Sequence, residues 1–277
     1  MDGYTHQGLR FDLDDLGPVS GDPVVALHGF PQDRSCWWAL APQLVAAGYR
    51  VLAPDQRGYS PGARPPGRAA YRLADLAEDV LALADSAGLG RFHLVGHDLG
   101  ALVAWRVAAT ASTRVRSLTA LSVPHPRAMA SALRRPEQAA RSWYLLAFQV
   151  PGAERVVSAG RGRLLEAALR ASGLGQEPAR RYAARMADPD AARAALAWYR
   201  ALPGLPPTPA VTVPTLQVWG RSDPFVGRRA VEGTGEWVVG SYRSVEIDGG
   251  HWLAEQHSAP VGEALLAHLA ASVAAGG

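Results

Sequence analysis

The chemistry in this chain gathers around one acid set between two glycines. Asp98 stands in Gly96-His97-Asp98-Leu99-Gly100, after a short apolar run at 92–95 and before a run of helix formers. The spacing is that of the Gly-x-nucleophile-x-Gly turn from strand to helix, with a carboxylate where serine is usual. Glycine is needed two residues to either side because so tight a turn leaves no room for a side chain. The turn lifts the central residue above the sheet edge, beside the unpaired N–H groups and positive dipole end of the next helix. Backbone donors favour the ionised acid. Aspartate is also a common helix N-cap. Chemistry is favoured here by the strand before, the helix after and two partners downstream. Asp223 lies in Gly220-Arg221-Ser222-Asp223-Pro224 and His251 in Gly249-Gly250-His251-Trp252. The chain order is nucleophile, acid, histidine. In that arrangement His251 acts as general base and Asp223 orients it.

Those side chains need a scaffold that brings them together. Short apolar runs alternate with longer helical patterns, which predicts an α/β fold: a mostly parallel sheet with helices on both faces. PVVALHGF, YRVLAPD, RFHLVG, VRSLTALSVP, VTVPTLQVWG and YRSVEIDGG read as strands. Helices are expected at 73–87, directly after Asp98, and at 260–274. Loops at strand C-terminal ends meet at one sheet edge, where ligands bind. The loop His28-Gly29-Phe30-Pro31 follows the first buried strand. Backbone N–H groups of Phe30 and Leu99 would there form an oxyanion hole. From 126 to 207 strand patterns vanish. Several helices are expected instead, broken at Pro136, Pro151, Gly160, Gly173, Pro178 and Pro189 and closed by a proline-rich linker at 203–209. The expected organisation is a core formed by 1–125 and 208–277 with a helical cap, 126–207, inserted.

The 277 residues suffice for such a domain, and the 48% hydrophobic, 19% charged composition argues against disorder. The 28 basic residues are all arginine and face 25 acidic ones. No basic run exceeds two residues and no basic stripe is interleaved with aromatics, so nucleic acid is not an expected partner. The single cysteine, Cys36, excludes an intrachain disulfide. The N-terminal stretch is acidic and polar without an apolar signal core, and no run is apolar enough to cross a membrane. A soluble, cytoplasmic enzyme with no metal and no cofactor is expected. Of the other histidines, His28, His97 and His125 lie near the expected site as structural residues, and His6, His93, His257 and His268 have weaker claims. Asp55, at a strand end, reads as a loop organiser.

HGFPQD (28–33), APDQRGYS (53–60), LVGHDLGALVAW (94–105), VWGRSD (218–223) and GGHWLAEQ (249–256) together resemble the α/β-hydrolase-fold epoxide hydrolases, which are related to haloalkane dehalogenases. The likeness covers nearly the whole chain. It implies the α/β-hydrolase fold, Asp98 as nucleophile and a small-molecule epoxide as substrate. SWYLLAFQVPG (142–152) and LAWYRALPG (196–204) resemble the cap segments that carry two ring-opening tyrosines, placing these at Tyr144 and Tyr199. Many relatives carry Trp after the nucleophile, and in the dehalogenases its indole cradles halide; Leu99 here counts against dehalogenation. The apolar Leu99, Ala101 and Leu102 likewise differ from the arginines of fluoroacetate dehalogenases. The implied activity is epoxide hydrolysis through an Asp98 ester. The alternatives are another hydrolase activity on the same scaffold (dehalogenation, ester or lactone cleavage) and a non-catalytic ligand binder.

Overall fold

In a computed structural model that describes residues 1–204 and 206–274, eight strands form one sheet in the order β1-β2-β4-β3-β5-β6-β7-β8. They are β1 (Gly3–His6), β2 (Leu9–Leu16), β3 (Pro23–Leu27), β4 (Arg50–Pro54), β5 (Phe92–His97), β6 (Val115–Leu121), β7 (Thr215–Gly220) and β8 (Tyr242–Ile247). Strands β3 to β8 are parallel, and β2 joins β4 antiparallel. The central strands are continuous apolar runs because helices cover both faces. Every residue of β4, β5 and β7 is buried, whereas the edge strand β8 is largely open.

The hairpin β1–β2 is absent from the sequence reading. Its apolar signal is slight, Tyr4 opposite Phe11 and then Leu13, and it is broken off at Asp14-Asp15, where the Asp15 side chain is buried against Arg50. The tight turn is carried by Gln7 and Gly8, both at positive φ (50° and 76°), as two-residue hairpin turns require.

From Pro126 to Ala201 the regular elements are all helical: Pro126–Ala132, Pro136–Arg141, Tyr144–Ala147, Ala153–Ser158, a 3₁₀ turn, Arg163–Ala171, Gln176–Met186 and Pro189–Ala201. Helices break just before Pro136 and Pro189, as expected, and each proline begins the next helix. Pro178 sits in the first turn of Gln176–Met186. At those positions the missing N–H has no intrahelical acceptor to lose. Leu205, inside the proline-rich linker, and residues 275–277, the end of the second core segment, lie outside the described residues.

Several buried or part-buried polar contacts seat the helical segment on loops that follow the strands. Arg185 donates to Asp33 (2.8 Å), Asp55 (2.6 Å) and the Tyr59 carbonyl (2.9 Å). The Trp198 indole donates to the Arg57 carbonyl at 2.7 Å, and the Trp252 indole donates to Ser172 at 3.0 Å. Asp55 also accepts from the Arg34 N–H and guanidinium. It therefore organises its loop, as expected, and anchors the cap as well. Among the described residues no helix is long and apolar enough to cross a membrane.

Candidate active site

Strand β5 ends at His97 and the next helix, Leu99–Thr110, starts two residues on, so Asp98 alone turns the chain. Its backbone takes φ 52°, ψ −123°, a conformation that a non-glycine residue holds only when its surroundings impose it. A Cβ on Gly100 would collide with the carbonyls of Leu27 and His28. One on Gly29 would collide with the Asp98 side chain itself. The side chain is thus pinned between the β3 loop and the elbow.

The Phe30 N–H donates to Asp98 Oδ1 at 2.8 Å, while His251 Nε2 lies 3.5 Å from Oδ2. The two carboxylate oxygens therefore face different partners. Burial opposes the charge, but His251, His97 and the Leu99 amide together outweigh it and hold the acid below its ordinary range. Asp98 is ionised at neutral pH.

His251 Nδ1 is 2.7 Å from Asp223 Oδ2. Asp223 Oδ1 accepts from the Phe225 and Val226 N–H groups at 2.7 and 3.0 Å. Nδ1 is thereby tied to Asp223, and Nε2 is turned to Asp98. Burial pulls the imidazole down; Asp223 and then Asp98 overcome it and lift the ring to about 10. The two carboxylates thus favour the protonated ring in the free protein.

Tyr144 and Tyr199 come from two cap helices, with ring centroids 6.1 Å apart and planes at 86°. Both line the same cavity as Asp98 and His251, of about 740 Å³, with apolar walls that include Leu99, Leu102 and Phe225. That is ample for a small organic molecule. Phe30 and Phe148 pack against Tyr199 at 5.3 and 4.9 Å. Burial, and then the negative charge of Asp98, push both phenols upward. They stay protonated, and so remain donors.

Thus Asp98, Asp223, His251, Tyr144, Tyr199 and the Phe30 and Leu99 amides meet at one place. The remaining expectations divide. His28 is structural: its Nε2 accepts from the Gln56 N–H at 3.1 Å. His125 Nδ1 caps the helix Pro126–Ala132. His97 lies closer to the chemistry than expected. Its ring nitrogens contact Gln32 Oε1 (2.7 Å) and the His251 carbonyl (2.9 Å). Gln32 also accepts from the Gly29 N–H at 3.2 Å and donates to Glu255 at 2.8 Å, and the Tyr182 hydroxyl donates to the other Glu255 oxygen. Burial, opposed by these bonds, lifts Glu255 to about 7. Sequence reading missed Gln32 and Glu255, although both fall inside motifs that it singled out.

The chain belongs to the α/β-hydrolase family, whose fold it matches over residues 22–258. It is 32% identical to an AB hydrolase superfamily protein, YfhM, of Bacillus subtilis, over 97% of this chain and 99% of that one. It is 33% identical to epoxide hydrolase A of Mycobacterium tuberculosis, over 95% and 94%. Among solved structures it resembles epoxide hydrolase A of Mycobacterium thermoresistibile, with a TM-score of 0.83, 30% identity, and 96% and 97% of the two chains covered.

Proposed function

We propose that this protein is an epoxide hydrolase that turns an epoxide and water into a vicinal diol through an ester on Asp98. The observation that carries the reading is an ionised aspartate on the elbow, with a backbone N–H on one oxygen, an imidazole near the other and two phenols lining the same cavity. The names of the relatives agree with it. In this reading 1–125 and 208–277 form the core that supplies the nucleophile and base, and 126–207 is the cap that supplies the phenols.

An epoxide carbon is saturated and is attacked from the side opposite its oxygen. Asp98 is already charged, so it attacks through Oδ2 without a base. The C–O bond breaks and the alkoxide takes a proton from Tyr144 or Tyr199. Ester formation removes the negative charge of Asp98, and with it part of what holds the proton on His251. That proton restores the phenol. The neutral imidazole, oriented by Asp223, then deprotonates a water that attacks Cγ of the ester. Negative charge develops on Oδ1, where the Phe30 N–H already points and the Leu99 N–H can join it. Collapse expels the second oxygen as alkoxide, which takes the proton of the new carboxylic acid. Asp98 is again ionised, His251 protonated and the diol free.

The test is a diol assay over aryl, aliphatic and bulky epoxides. Turnover of at least one epoxide, lost in Asp98→Ala, is expected. Diol formation at an unchanged rate in Asp98→Ala, or halide release with no diol, contradicts the assignment.

A further inference from the structure

We propose that Gln138 is a positioning residue that couples the seat of the cap to the acid–base pair, acting through Phe225. The inference rests on the two-step hydrolysis proposed above. Gln138 lies on the helix Pro136–Arg141, only 4% exposed. Its Nε2 donates to the Phe225 carbonyl (2.7 Å) and to Ser142 Oγ (2.9 Å), and its Oε1 accepts from the Gly227 N–H (2.8 Å). One turn on, the Arg141 guanidinium donates to the Asp223 carbonyl at 2.8 Å. The loop 223–227 is therefore gripped from both sides. Its inner amides, those of Phe225 and Val226, hold the Asp223 carboxylate. Three of its other backbone groups, the Asp223 and Phe225 carbonyls and the Gly227 N–H, are taken by the cap.

Phe225 joins the two halves of the chemistry. Its ring packs edge-on to Tyr144 at 5.4 Å and to His251 at 4.9 Å. Tyr144 follows Ser142, itself a partner of Gln138, by two residues. A displacement of the segment that carries the phenol is thus passed to the backbone that holds the carboxylate that orients the base. A neutral amide suits the place because it offers both an acceptor for Gly227 and donors for Phe225 and Ser142, which a carboxylate cannot. The cap has other anchors on Asp33, Asp55 and Arg57. An apolar side chain would seal this surface without the cost of burying an amide. The use of glutamine is accounted for by the loop that it places.

The readout is the ratio of the two half-reactions, together with the pH profile of the second. The charged or titratable groups facing His251 are Asp98, Asp223 and His97, with the Tyr144 and Tyr199 phenols in the same cavity. Gln138→Met keeps the volume and removes the bonds. With styrene oxide as substrate, rapid-quench mass spectrometry separates ester formation from ester breakdown. We expect breakdown to slow about tenfold, the rate factor of one ordinary hydrogen bond, with formation changed less than about twofold. KM should fall together with kcat as ester accumulates. The acid limb of kcat should move to lower pH, because a looser Asp223 holds the imidazole proton less firmly. Arg64→Gln, which breaks an exposed cap–core ion pair with Asp188, should change neither the ratio nor the limb. Equal slowing of both steps in Gln138→Met, or an unchanged ratio and limb, overturns the proposal. If that variant does not fold, Arg141→Met is read the same way and decides. An absence of ester from the wild type and from His251→Gln would overturn the two-step reading itself; ester formed with an unaltered ratio overturns this inference alone.

Discussion

At the scale of single residues the site is a balance of charges in a buried place. His251 is held as a cation near 10 by Asp223 and Asp98 against the pull of burial. Asp98→Asn imitates the neutral ester, so it should lower the imidazole by about one pH unit or more. An NMR titration of the His251 ring measures this; an unchanged or raised value would mean that Asp98 is not the charge it senses. Stability carries the same signature. The ring is raised above its unfolded value near 6.5. The stabilisation it gains from the two carboxylates is complete below about pH 6.5 and is lost as pH rises through about 10. Chemical denaturation of wild type and His251→Gln across that range should converge at the alkaline end. Asp98, Asp223 and His251 were legible because elbow glycines and strand-end loops announce them. Gln138 and Arg141 were not: a polar residue on an amphipathic cap helix looks like solvent-facing surface until the loop it meets is known.

At the scale of elements, the parallel strands and the core helices Leu73–Ser86, Leu99–Thr110 and Ser258–Ala274 were legible from apolar runs of the right length, and their boundaries fall within a few residues of expectation, whereas the short helices Ala41–Ala46, Arg228–Glu232 and Leu253–Gln256 were not read. The hairpin β1–β2 escaped because acids interrupt its alternation. Pro178 misled for a physical reason: proline is tolerated in the first turn of a helix as well as at its end, and only its place in the turn decides which. The cap's attachment was not legible either, since it rests on pairs far apart in sequence. Arg185 is the clearest case, with two buried carboxylates on its guanidinium. Arg185→Leu leaves Asp33 without its guanidinium partner and Asp55 with Arg34 only. Removing one partner of a buried pair costs about 3–5 kcal/mol, and the remaining Arg34 and the guanidinium's partial exposure place this one toward about 2 kcal/mol. A fall in Tm of about 4–8 °C is expected by calorimetry. A Tm within a degree of wild type would show that the pair does not anchor the cap.

At the scale of the whole molecule, the chemistry is divided between two bodies of one chain. In the proposed reaction the sheet edge supplies the nucleophile, its oriented base and an oxyanion donor, and the helical segment supplies the phenols. The cavity lies where they meet, so neither half holds the complete set. The motifs that carry the family likeness span both the sheet and the helical segment. The central claim is a covalent bond from Asp98 to carbon that His251 later releases. It is tested most directly by the intact mass of His251→Gln after mixing with a substrate epoxide. The account predicts stoichiometric gain of one substrate mass, located on the peptide containing Asp98 and absent from Asp98→Ala. Continued diol release by His251→Gln with no adduct would contradict it.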